Sequence, residues 1–135
     1  MTLTDTGPLV AIFNTHEDAH TTCVSVLPKL RAPLLTTWCC FTEAMYLLGK
    51  LIGYRAQEEL WNYVADDILV LHTLTSPEET RMRALMSKYS DTPMDLADAS
   101  LVTVAETLSL RRVFTLDSHF YAYRTADRKA LEVVP

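Results

Sequence analysis

The sequence has little glycine and little cysteine, and long stretches of it hold no cation. Three glycines and six prolines among 135 residues exclude a collagen-like or low-complexity chain, and no internal repeat or long like-charge run is present. Three cysteines, two of them adjacent at Cys39 and Cys40 with no C-x-x-C pair, exclude a paired disulfide framework and a thiolate zinc site; reduced core residues are expected. Residues 1–28 contain no Lys or Arg, so the basic start of a secretion signal is missing, and no apolar run reaches the length of a membrane span. A cytoplasmic protein without membrane attachment is the expectation.

Hydrophobic residues make up 49% of the chain. That suffices for one domain, residues 1–135, burying about two thirds of its unfolded surface. A net charge of −5 argues against nucleic acid as a partner, because phosphate binding draws on clustered Lys and Arg. Bound divalent cations would offset that charge. The basic residues fall in small groups, such as Arg81, Arg83 and Lys88 or Arg124, Arg128 and Lys129, and read as solvated helix ends and faces.

Apolar runs alternate with helical patterns. LTDT opens the chain as a short strand, and GPLVAIFN begins a helix at Gly7 and Pro8. A weaker helical pattern covers 16–30, a buried strand covers 34–38, and helices follow over 39–51 and 56–67. Strand 68–73 precedes a helix at 76–89 with a Ser cap and acids in its first turn. The helix PMDLADASLVTVAETLSL at 93–110 comes next, then strand RVFTLD at 112–117 and an edge strand LEVVP. Apolar strands separated by helices imply a mainly parallel central sheet covered on both faces, an α/β/α sandwich. Ligands in such folds bind beyond the carboxyl ends of the strands, where Asp5 and Asp117 are expected.

Four acids stand alone in apolar surroundings. Asp5 is the only Asp, Glu, Lys or Arg in the first sixteen residues, and Glu43 the only one from Ala32 to Gly49. Asp98 lies on the stripe formed by Met94, Ala97, Leu101, Val102, Ala105 and Leu108, and Asp117 closes a strand. Asp95 has a local explanation, as the acid of a capping box begun by Thr92 with Pro93 at the first helical position. Asp98 sits too far along that helix for capping. Burying an ionised carboxylate costs several kcal/mol unless a cation compensates it, yet residues 1–28, 32–49 and 89–110 hold no Lys or Arg. The acids must take up protons, borrow a distant arginine, or converge on a metal. Convergence is the sharpest reading, and oxygen-only donors suit Mg²⁺ or Mn²⁺.

Other patterns point elsewhere. HEDAH at 16–20 satisfies the H-E-x-x-H pattern of zinc metalloproteases, with Glu17 as base. A phosphoacceptor domain would need paired acids at one strand end and a lysine at another, which Asp5 lacks. His119, Phe120, Tyr121 and Tyr123 form either a base-stacking cluster or a packed loop.

Four segments, DTGPLVAIF at 5–13, TTWCCFTEAMYLLG at 36–49, PMDLADASLV at 93–102 and FTLDSHFYAYR at 114–124, resemble the motifs of PIN-domain ribonucleases, in particular the VapC-type toxins of toxin–antitoxin pairs. The resemblance spans nearly the whole chain. It implies a PIN-like fold in which Asp5, Glu43, Asp98 and Asp117 hold Mg²⁺ or Mn²⁺. It also implies that Asp95 helps to orient water and that Thr115 stands beside the fourth acid. The implied activity is endonucleolytic cleavage of RNA by metal-activated water, leaving 5′-phosphate and 3′-hydroxyl ends. The implied partners are RNA, a second copy of the chain, and a cognate antitoxin whose tail sets an arginine against the acids. A catalytically silent PIN-like binding module is the alternative.

Overall fold

Successive side chains of the short strands point to opposite faces of the sheet, and each face builds its own core. In the computed structural model, which describes residues 1–135, the strands are β1 (Thr2–Thr4), β2 (Leu34–Thr37), β3 (Leu69–His72), β4 (Arg112–Phe114) and β5 (Glu132–Val134). The helices are α1 (Thr6–Phe13), α2 (His20–Val26), α3 (Trp38–Leu51), α4 (Tyr54–Ala65), α5 (Ser76–Lys88) and α6 (Leu96–Leu108). Leu3, Leu35 and Val113 face α5 and α6, whereas Leu34 and Leu69 face α1, α3 and α4, and Phe114 meets Ala11, Ile12 and Cys23. The expected α/β/α sandwich is present.

All strand pairs are parallel, in the order β3-β2-β1-β4-β5. From the central β1 the chain first builds outward through β2 and β3, then returns to add β4 and β5 on the other side. The direction changes between β1 and β4, so a crevice opens beyond their carboxyl ends, where open α/β sheets bind ligands.

Three expectations need correction. The last long helix begins at Leu96 rather than Pro93, with Asp95 as its N-cap. Its residues Ala97 to Ala105 are all buried, not one stripe of them, because Phe120, Tyr123 and Leu131 pack into the same core as α6 and α5. Strand β4 ends at Phe114; the Thr115 amide still bonds Val134 O at 3.0 Å, and the chain then turns away. Asp117 therefore lies beyond the strand and caps a 3₁₀ turn at Ser118–Tyr121.

A bidentate ion pair ties α5 to α6, with Arg81 Nε and Nη2 each 2.9 Å from the Glu106 carboxylate. It holds the buried α6, and hence its amino-terminal acids, in place. Breaking it with Arg81→Ala is expected to cost about 1 kcal/mol, since partly buried charge-assisted pairs of this kind contribute at that level. Thermal unfolding of the variant checks this, and an unchanged Tm would show the pair to be incidental.

Candidate active site

Three of the five predicted acids are helix caps, which explains their local conformation before any chemistry is invoked. Asp5 caps α1, its Oδ1 accepting from Thr6 N at 2.7 Å. Asp95 caps α6, its Oδ1 accepting from Asp98 N at 2.8 Å. Asp117 accepts from His119 N at 2.9 Å and from His119 Nδ1 at 2.7 Å. Asp98 completes the Asp95 capping box, with Oδ2 accepting from Asp95 N at 3.3 Å. The expectation that Asp98 lies out of capping range was wrong, because the helix starts three residues later than Pro93 suggested.

Capping places the acids but does not neutralise them. Asp5, Glu17, Glu43, Asp95, Asp98 and Asp117 all line one cavity of about 360 Å³, together with Thr6, Gly7, Leu47, Ala97 and Leu116, and no Lys or Arg is among the lining residues. Burial, aided by the charges of Asp95 and Asp5, pushes the Asp98 carboxyl up to about 7. Burial also raises Asp5, against the hydrogen bonds from Thr115 and Thr6, with Asp117 and Asp95 adding repulsion. No arginine reaches the cavity to offset these charges.

Hydroxyls and a thiol fix the carboxylates. Thr115 Oγ1 donates to Asp5 Oδ2 at 2.7 Å and accepts from Asp117 N at 3.0 Å, so one buried side chain joins the first and last acids. Thr6 Oγ1 stands 3.3 Å from both Glu43 Oε2 and Cys40 O. Tyr123 donates to Asp98 Oδ2 at 3.2 Å and also bonds Pro93 O. Cys40 Sγ lies 3.8 Å from Asp5 Oδ1; burial, with Asp5 beside it, pushes this thiol up to about 12, so it stays protonated. Cys40 supports Asp5 and is no nucleophile.

No three His, Cys, Asp or Glu side chains anywhere in the chain stand close enough together to hold a metal ion as they lie. The acids instead line the cavity from several separate elements. That arrangement fits a hard cation that takes few protein ligands and keeps much of its water, and the donors on offer are all carboxylate oxygens.

The H-E-x-x-H reading does not survive. His16 and Glu17 lie in the turn between α1 and α2, and only His20 enters a helix, at its first residue. His20 Nδ1 is 2.7 Å from Ala11 O, so the two histidines share no helix face. Glu17 turns instead toward the acid cavity, where it adds a sixth carboxylate that the sequence reading had assigned elsewhere. Of the two readings of His119 to Tyr123 the packed loop holds for Phe120 and Tyr123, which are fully buried in edge-on contact at 5.1 Å, and Tyr123 serves Asp98.

No family model matches the chain. In sequence it is similar to ribonuclease VapC26 of Mycobacterium tuberculosis, 26% identical over 132 residues, which is 97% of this chain and 98% of that protein. In fold it is similar to VapC20 of the same organism, described as a sarcin–ricin loop cleaving toxin, with TM-score 0.83 at 16% identity over 90% of this chain and 94% of that one. A toxin–antitoxin complex from Klebsiella pneumoniae matches with TM-score 0.67 at 18% identity, covering 87% and 88% of the two chains. The likeness to PIN-domain VapC toxins read from four short segments thus extends along nearly the whole chain.

Proposed function

We propose, on the premise that a chain this similar to VapC ribonucleases shares their chemistry, that the protein is a divalent-cation-dependent endoribonuclease acting as a toxin under the control of a cognate antitoxin. The observation that carries the reading is the single cavity lined by six carboxylates and no cation, at the switch point of a parallel sheet. Asp5, Glu43 and Asp98 are assigned to hold Mg²⁺ or Mn²⁺, with Asp117 completing the set. When bound, such a cation offsets the negative charge of the phosphodiester and acidifies water.

The chain's own groups then do the positioning. Thr115 and the Thr6 amide fix the Asp5 carboxylate from two sides, so it need not reorganise during the reaction. Tyr123 and the Asp95 amide both donate to Asp98 Oδ2 and leave Oδ1 free. Asp95 Oδ1 is engaged by the Asp98 amide, leaving its second oxygen to accept a hydrogen bond from water. Each divalent cation bound among the acids offsets two charges of the net −5 and so weakens the repulsion of RNA. No helix is long and apolar enough to cross a membrane, and the reading assigns the chain to the cytoplasm, where its RNA lies. Tyr46, Leu51, Tyr54 and Trp61, exposed on and beside α3 and α4, support the protein contacts the reading requires, with a second copy and with the antitoxin.

The test is cleavage of a panel of labelled transfer and ribosomal RNAs by purified protein in Mg²⁺, Mn²⁺ or chelator, with Asp5→Asn alongside. Cleavage that needs the cation and falls at least about 100-fold in the variant is the expected outcome, since even outer-shell partners of metal sites are worth 10–100-fold. Equal cleavage by both proteins would reject the assignment.

A further inference from the structure

A second groove joins the acid cavity, and its walls are of a different character. It is lined by Trp38, Cys39, Thr42, Glu43, Asp95, Leu96 and Ala97, and shares Glu43, Asp95 and Ala97 with the acid cavity. Trp38 is the first residue of α3, immediately beyond the carboxyl end of β2, with Thr37 as N-cap accepting from Cys40 N. The indole is 45% exposed, and Leu96 across the groove is 53% exposed. These are large apolar surfaces to leave in water beside a charged site.

The ring is nonetheless held. Phe41 meets Trp38 edge-on at 5.6 Å and 89°, and Trp61 meets Phe41 at 4.9 Å and 73°, so two further aromatics in series brace the exposed indole. No Lys or Arg lines the groove, so it has no means of gripping a backbone phosphate. An aromatic face with an apolar opposite wall recognises the other part of a nucleotide, the planar base. Its continuity with the acids decides which base: one next to the phosphate to be cut.

We propose that Trp38 is a stacking platform for an unpaired base flanking the scissile phosphate, with Leu96 as the opposite wall. The inference rests on the ribonuclease reading above. It also implies a preference for single-stranded or looped RNA, because a base paired within a duplex cannot leave its stack to reach the ring.

The test is designed so that the two readings fail separately. Single-stranded RNA is titrated into the native chain and into Trp38→Phe in Ca²⁺, which offsets the acids but acidifies water less than Mg²⁺ or Mn²⁺, and tryptophan fluorescence is followed. Trp61 alone reports in the variant. Quenching in the native chain that is absent from Trp38→Phe, and weak with a fully paired duplex, is the expected result, and it stands even if no RNA in the panel is cleaved. Where cleavage is found, Trp38→Ala should raise KM about tenfold or more with kcat little changed, and Trp38→Phe should restore most of the loss, since base–aromatic stacking is worth a factor of that size. Equal quenching in the two proteins, or an unaltered KM in Trp38→Ala, overturns the inference, as does quenching by the antitoxin tail but not by RNA.

Discussion

Asp98→Asn will reduce RNA cleavage by at least about 100-fold and yet raise the melting temperature of the metal-free chain by about 2–5 °C. The two effects share one cause. Asp98 has an ordinary carboxyl value of 3.8, pushed up to about 7 in the fold by burial and by Asp95 and Asp5. A group that binds its proton more tightly folded than unfolded favours folding while protonated. Its ionisation therefore opposes folding: the penalty begins as pH rises past about 4 and is fully present above about 7. Asparagine keeps an oxygen to accept from the Asp95 amide and from Tyr123 but carries no charge, so the penalty disappears and the capping box survives. The native chain should gain stability relative to Asp98→Asn as pH falls from about 7.5 to 5. Saturating Mn²⁺ should reverse their order at neutral pH, because a ligand bound only by the folded native chain stabilises it. Thermal denaturation of both proteins at two pH values, with and without Mn²⁺, measures all of this. If the native chain proves the more stable of the two at neutral pH without metal, the charge at Asp98 is already compensated and the site needs no cation.

Thr115→Val is the second large effect, and here stability and function fall together. The substitution keeps the shape of the side chain and removes only its hydroxyl. That hydroxyl donates to the buried Asp5 carboxylate at 2.7 Å and accepts from the Asp117 amide at 3.0 Å, and the residue is 2% exposed. Two partners are thus orphaned where water has little access, which should cost about 2–3 kcal/mol. Asp5 would also lose the contact that sets its orientation, weakening Mn²⁺ binding about 10- to 100-fold. Thr115→Ser, which restores the hydroxyl, should recover most of both losses. Calorimetric Mn²⁺ titration with thermal melts of the three proteins decides the matter; a valine variant with native metal affinity would remove Thr115 from the site.

The sheet and its helices were legible because the strands are short apolar runs and the helices carry ordinary start signals, as in the first-turn acids Glu78 and Glu79 of α5, although its cap is Thr75 and not the expected Ser76. The acids were legible for the opposite reason: Asp5, Glu43 and Asp98 lack a Lys or Arg nearby in sequence, and none lines their cavity in the fold. What escaped the sequence depended on contacts distant along the chain. Burial of α6 on all sides follows from Phe120, Tyr123 and Leu131 joining its core, and nothing in its own pattern announces that cover. Pro93 suggested a helix start, but Asp95 and Asp98 satisfy each other's amides and move the start to Leu96. Asp117 seemed to end a strand because RVFTLD is continuously β-prone, whereas pairing stops at Phe114. Glu17 gave a misleading local sign, in the H-E-x-x-H pattern, and Trp38 gave none. Each matters through the cavity it lines, and a cavity exists only once the chain has folded.

The central claim is that these carboxylates support hydrolysis of RNA by water, and the chemistry of the cut ends tests it most directly. End-labelled RNA is cleaved by the native chain in Mn²⁺, with Asp98→Asn alongside, and the product termini are identified by phosphatase and ligase treatment. Attack by water at phosphorus with departure of the 3′ oxygen predicts 5′-phosphate and 3′-hydroxyl ends, produced only with the cation and lost in the variant. Ends bearing 2′,3′-cyclic or 3′-phosphate, formed equally in chelator, would mean that the ribose 2′-hydroxyl is the nucleophile and that the acids are not the catalyst.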